Sequence, residues 1–317
     1  MRSVVMVWLL TLAAWAVPIL SPFKQLNVDG IAKDLVVKDG IVLIATDKGH
    51  VEIFDQTSLQ KVEQLNIPDV KDFMGDTVPA RVLSSDECEG RYVILSDSGI
   101  GGYSDLYLFE AGTVTKLLTA DDKKALIKVR FVDKDHILLG YLSNEAALMD
   151  LRTGKERYRV QLSESKFSDF ALNEDKTQAV FSCESGVLSV IDVQTGKILK
   201  TLEGLNVDNV YRVDFKKRTV SAAGQDRRGA IYDVETGKGY YIQGHFLIYA
   251  TALSPSAKTV AFAMDEDNTI TVFNTLTKAK KAYLKGQKST LNVMVFTDEK
   301  TLYSASDDNT VMVWKLP

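Results

Sequence analysis

The sequence predicts an all-β fold, a seven-bladed β-propeller of four-stranded blades, on three observations. The first is a recurring turn. MDLRTGK from Met149, IDVQTGK from Ile191 and YDVETGK from Tyr232 share a bulky apolar residue, an Asp and a Thr-Gly-Lys. VFNTLTK from Val272 is a weaker copy; IFDQTS from Ile53, LFEAG from Leu108 and VWKLP from Val313 complete the set. The second is spacing. The bulky residues fall at 54, 109, 149, 191, 232, 273 and 314, with gaps of 55, 40, 42, 41, 41 and 41. The third is alternation inside each unit. IYATALS, TVAFAMD, TITVFN and KKAYLKG follow one another in the sixth, and such short alternating runs read as half-buried strands. Four strands in about 40 residues is the arithmetic of a propeller blade.

The ends of the chain fit this count. Arg2, the apolar run Val4–Leu12 and Ala14-Trp15-Ala16 read as a signal peptide over residues 1–16, although a retained membrane anchor is the competing reading. Cleavage after Ala16 leaves residues 17–317 as a single domain, of the length that seven units of 41 and 14 extra residues require. The last unit lacks a fourth strand, since only Lys315, Leu316 and Pro317 follow Trp314. FKQLNV (23–28) resembles the fourth-strand segment ILKTLE, so an N-terminal strand is expected to complete the last blade. That closure removes two open sheet edges.

Composition excludes some functions. The chain has 317 residues, 45% hydrophobic and 25% charged, with a formal charge of −4. That is an ordinary globule with no electrostatic footprint for nucleic acid. The chain is expected to be monomeric, periplasmic and without membrane insertion once the signal is removed. Cys88 and Cys183 fall in nonadjacent units and towards opposite faces, which predicts two free thiols. His50, His136 and His245 lie in different units without metal-ligand spacing, and His50 and His136 read as surface or rim residues. No nucleophile elbow, zinc motif or P-loop occurs, so no catalytic residue, cofactor or metal is assigned.

The repeat resembles the WD40-like β-propellers. Asp226, Asp267 and Asp308 each precede the bulky residue of the third strand by six positions, SASDDNTVMVW (304–314) is the best single match, and Gly244-His245 sits where that family places its Gly-His pair. The resemblance implies that Asp226, His245, Asp267, Asp308 and Trp314 serve the structural repeat. The Asp-x-x-Thr-Gly-Lys turns also resemble quinoprotein propellers, whose repeats add a Trp after the Lys; here those positions carry none. A cofactor- or metal-binding enzyme of that type, or an outer-membrane assembly propeller, stands as the alternative function.

The extra residues concentrate above the second unit. One part is 67–78, containing VKDFMGDTV, and the other is SDSGIGGYSD (96–105). In a blade these two connections leave on the same face, so both are expected to meet there. Loops on a rigid scaffold are free to carry function. Lys71, Asp72, Phe73, Met74, Asp76, Ile100 and Tyr103 are the candidate partner-binding residues, an apolar centre with a charged rim. The competing reading tucks Phe73 and Met74 under the loop. KDFMGD and GGYSDLYLFE resemble NapL-type accessory proteins of periplasmic nitrate reductases. That resemblance implies a noncatalytic scaffold whose partner is nitrate reductase or its maturation factors.

Overall fold

The computed structural model describes residues 16–317. The signal-peptide expectation therefore lies outside the described residues, apart from Ala16. Seven antiparallel sheets of four strands follow one another along the chain, one of them extended by a fifth, parallel strand. The expected propeller is observed. Blades 1 to 7 begin with Ala32–Lys38, Val82–Cys88, Leu126–Asp133, Phe167–Leu172, Val210–Lys216, Thr251–Leu253 and Leu291–Phe296. These first strands lie side by side around the axis, except between blades 3 and 4, where the second strand of blade 3, His136–Tyr141, meets the first strand of blade 4.

The core sits between blades. Seven apolar clusters are formed, one in each gap between neighbours. This follows from alternation: successive residues of a strand point to opposite faces, and both faces of a blade meet another blade. Strands such as Ile41–Thr46 and His136–Tyr141 are therefore buried almost end to end. The fourth strands at the rim lose one neighbour and alternate with solvent, as Lys155–Gln161 does.

The recurring turn has a local cause. Asp192 accepts from the Thr195 amide at 2.8 Å, and Asp233 from that of Thr236 at 2.8 Å. The Thr hydroxyl then accepts from the Lys amide. The glycines at 154, 196 and 237 take φ of 67°, 71° and 71°, the left-handed region that glycine adopts without steric cost.

The ring closes as expected. Lys24–Asn27 pairs antiparallel with Thr310–Lys315, Leu26 opposite Val311. Leu26 and Val28 are buried in the cluster joining blades 7 and 1. Sequence reasoning missed the preceding segment. Ile19–Leu20 adds a parallel strand beside Tyr283 and Leu284 at the rim of blade 6; two residues are too few to show alternation. Cys88 and Cys183 are free.

Candidate functional site

The enlarged connections meet above blade 2. Val70–Lys71 and Thr77–Val78 form a two-stranded hairpin. Its tip is fixed from within: the Asp72 carboxylate accepts from the amides of Met74 and Asp76, both at 2.9 Å. The Asp72 amide donates to the Asp76 carbonyl, and the Lys71 ammonium to the Thr77 hydroxyl. The second loop is tied by Ser98, whose amide and hydroxyl both donate to the Tyr103 carbonyl. Gly99 is where the loops touch: a Cβ there would fall 2.1 Å from the Lys71 carbonyl oxygen.

This geometry decides how the apolar residues are presented. Phe73 is 94% exposed and Met74 74%, at the end of the hairpin, and Ile100 is 59% exposed on its partner loop. Phe73 and Met74 are not tucked into a satellite core. Tyr103 is half-buried, its ring against Gly101. A hairpin stiffened by its own carboxylate and carrying apolar side chains into solvent suits recognition, because little ordering remains for a partner to impose.

The central channel forms a second polar concentration, which sequence reasoning did not single out. Its waist holds Asp34, Lys128, Arg130, Asp169 and Arg212. Arg130 makes a two-pronged pair with Asp34, both contacts at 2.8 Å. Asp169 takes Lys128 at 2.6 Å and Arg212 at 3.4 Å. Burial by itself would raise the Asp34 carboxyl; the charge and hydrogen bonds of Arg130 overcome it and hold the group well below the usual carboxylate range. Burial draws the Lys128 ammonium below its ordinary value, and Asp169 works against it.

The channel aspartates also join blades. The carboxylate of Asp34 accepts from the Ser85 amide, that of Asp86 from Phe131, that of Asp169 from Val213 and that of Asp214 from Leu253. Each bond runs from a first strand to the first strand of the next blade. The available signal was a charged residue on the first strand of unit after unit, at positions where an alternating pattern expects only a polar face.

The residues matched to the WD40-like repeat divide. Trp314 is fully buried and its indole donates to the Ser304 hydroxyl at 2.8 Å. Ser304 donates to Gln287 at 2.9 Å, and Gln287 donates to Ser306. Asp226 accepts from the Asn206 side chain at 3.1 Å and the Val207 amide at 2.8 Å. Asp308 accepts from the Thr310 amide at 2.8 Å. In the neighbouring turn it is Asp265 that accepts from Thr269, and Asp267 makes no side-chain hydrogen bond among the described residues. His245 is exposed. Gln287 both accepts and donates in blade 7, as an amide can, whereas Asn206 only donates, to Asp226 and the Arg228 carbonyl. His50 is 3% exposed, against the surface or rim position expected, and lies beside the buried Glu52.

No family model matches the chain. A guanine nucleotide-binding protein subunit beta-like protein of Encephalitozoon cuniculi (strain GB-M1) is 28% identical over 152 residues, 45% of this chain and 45% of that protein. The match thus spans less than half the length of that relative. Among solved structures, the Cps50 (Swd1) beta-propeller domain of Myceliophteria thermophila superposes with a TM-score of 0.71 at 12% identity, over 93% of this chain and 99% of that one. The fold is that of a WD40-like seven-bladed propeller. Neither similarity supports the resemblance to nitrate reductase accessory proteins.

These comparisons correct the expected location. Both similar proteins come from eukaryotes, which points away from a periplasmic protein. The periplasmic expectation rested on a short apolar run and a small-residue pattern, which apart from Ala16 lie outside the described residues, and on the resemblance of KDFMGD and GGYSDLYLFE to periplasmic accessory proteins.

Proposed function

We propose that this protein is a noncatalytic protein-interaction scaffold that docks a partner through the loops above blade 2. The observation that carries the reading is the exposure of Phe73 and Met74 on a hairpin whose conformation is already fixed. Burying an aromatic side chain of this kind is worth about 2–3 kcal/mol, the scale of an interface hot spot. Lys71, Asp72 and Asp76 supply a polar rim, and Ile100 and Tyr103 extend the apolar centre. The footprint of these two loops alone is small, below ~800 Å² per side.

The narrower reading, an accessory factor acting on nitrate reductase or its maturation factors, is supported only by KDFMGD and GGYSDLYLFE. The test of docking is a quantitative crosslinking pull-down with wild-type protein and the Phe73→Ala/Tyr103→Ala variant. The reading expects partner recovery to fall by about tenfold or more; unchanged recovery removes the blade 2 site. Recovery of a nitrate reductase subunit by the wild type alone would supply the narrower reading.

A further inference from the structure

The two ends of the channel differ in charge. The wider cavity, about 590 Å³, opens on the face that carries the blade 2 loops. Its mouth cations are matched: Lys33 with Asp307, Arg81 with Asp97 and Lys166 with Glu184. The opposite end is a smaller cavity of about 250 Å³. Its floor is Lys128, Arg130 and Arg212; its rim is Lys38, Lys176 and Lys216, brought in by the first-to-second-strand hairpins of blades 1, 4 and 5.

Four carboxylates answer these six cations, and each is already engaged. Asp34 lies behind the floor on Arg130. Asp86 takes Lys38 at 2.7 Å and the Phe131 amide. Asp169 takes Lys128, Arg212 and the Val213 amide. Asp214 takes the amides of Leu253 and Phe215 at 2.7 and 2.8 Å, and only a loose contact to Lys216 at 3.6 Å. Lys176 makes no ion pair among the described residues. Glu87, next to Asp86, turns its carboxylate onto the Gly90 amide and does not line the cavity. In formal charge the cup therefore holds two more positive groups than negative ones. Phe131, Phe170 and Phe296 complete its walls, and charges beside such low-dielectric walls act more strongly than in open water.

We propose that this end of the channel binds a small dianionic oxyanion, of the phosphate or dicarboxylate kind. The anion sits between the floor guanidinium groups and the rim ammonium groups of Lys176 and Lys216, the two cations with the least committed partners. The volume is that of about eight waters at ~30 Å³ each, which admits a small anion. The site lies on the face opposite the blade 2 loops and does not depend on them.

The experiment is calorimetric titration of the full chain with inorganic phosphate, with succinate, and with chloride and acetate as monoanion controls at matched ionic strength. The expected result is saturable one-to-one binding of phosphate or succinate that the controls do not reproduce. Phosphate alone assigns an ester-type ligand, and succinate alone a dicarboxylate. The Lys176→Gln/Lys216→Gln variant should lose about tenfold or more in affinity, with its melting temperature in the absence of anion unchanged. No saturable binding by either dianion, or equal affinity in the variant, overturns the site.

Discussion

Blades 7 and 2 are built on the same four-stranded plan and use their polar residues oppositely. In blade 7 they turn inward. Trp314, Ser304, Gln287 and Ser306 form a buried chain of donors and acceptors, and the N-terminal strand Lys24–Asn27 completes the sheet. In blade 2 the polar residues of the long connections brace the loops, and the apolar ones face solvent. Where the repeat keeps its length, side chains serve closure. Where it is lengthened, Ile67 and Val70 still pack on the core between blades 1 and 2, and Phe73 and Met74 beyond them are turned outward.

The sharpest way to test the contrast is at Trp314. Trp314→Ala removes the largest fully buried side chain among the described residues and leaves the Ser304 hydroxyl without its donor. The expected loss is about 3–5 kcal/mol, read as a shift of the urea midpoint. A loss below about 1 kcal/mol would mean that the blade 7 seam does not hold the ring together.

A second test asks whether blade 2 is secured at its inner edge while its loops stay free. Asp34 accepts from the Ser85 amide of blade 2 and pairs with Arg130 of blade 3. Asp34→Asn leaves Arg130 buried without its counter-charge, an expected cost of about 3 kcal/mol. The pH dependence has a definite sign. The Asp34 carboxyl titrates far lower in the folded chain than the ordinary aspartate value, so its contribution is complete above about pH 4. It is lost as pH falls, because the unfolded chain takes up the proton first. The difference in urea midpoint between wild type and Asp34→Asn should narrow from pH 7 to pH 3 without closing, because the folded-state carboxyl is still ionised there. A constant difference would refute the electrostatic account of the staple.

How far the sequence revealed this contrast depends on what kind of signal each part leaves. A period of 41 residues is a property of the whole chain, and packing between equal blades enforces it, so blade number and the closing strand could be read from spacing. The two insertions are departures in length, equally visible. The fate of Phe73 was not visible: Asp72 closing the hairpin on the amides of Met74 and Asp76 is what turns the side chain outward, and a short loop string reads the same either way. The channel was hidden for another reason. Asp34, Lys128, Asp169 and Arg212 sit at alternating positions that look like a solvated strand face, and only the ring brings them together. Letter matching placed His245 in the repeat network, whereas Gln287 supplies the hydrogen bonds in blade 7.

The smallest expected effect on stability is at Phe73, and it separates the two blades most cleanly. Phe73→Ala removes a side chain that is 94% exposed and touches no core cluster. Its midpoint should match wild type within about 0.5 kcal/mol, and the hairpin should persist because its bonds come from Asp72, Lys71 and Thr77. A parallel measurement of amide exchange at Met74 and Asp76 checks that persistence. If Phe73→Ala destabilised the chain by 2 kcal/mol or more, comparable to a core truncation, the residue would be packing against the blade in solution. The blade 2 loops would then be part of the scaffold, and the distinction drawn between the two blades would fail.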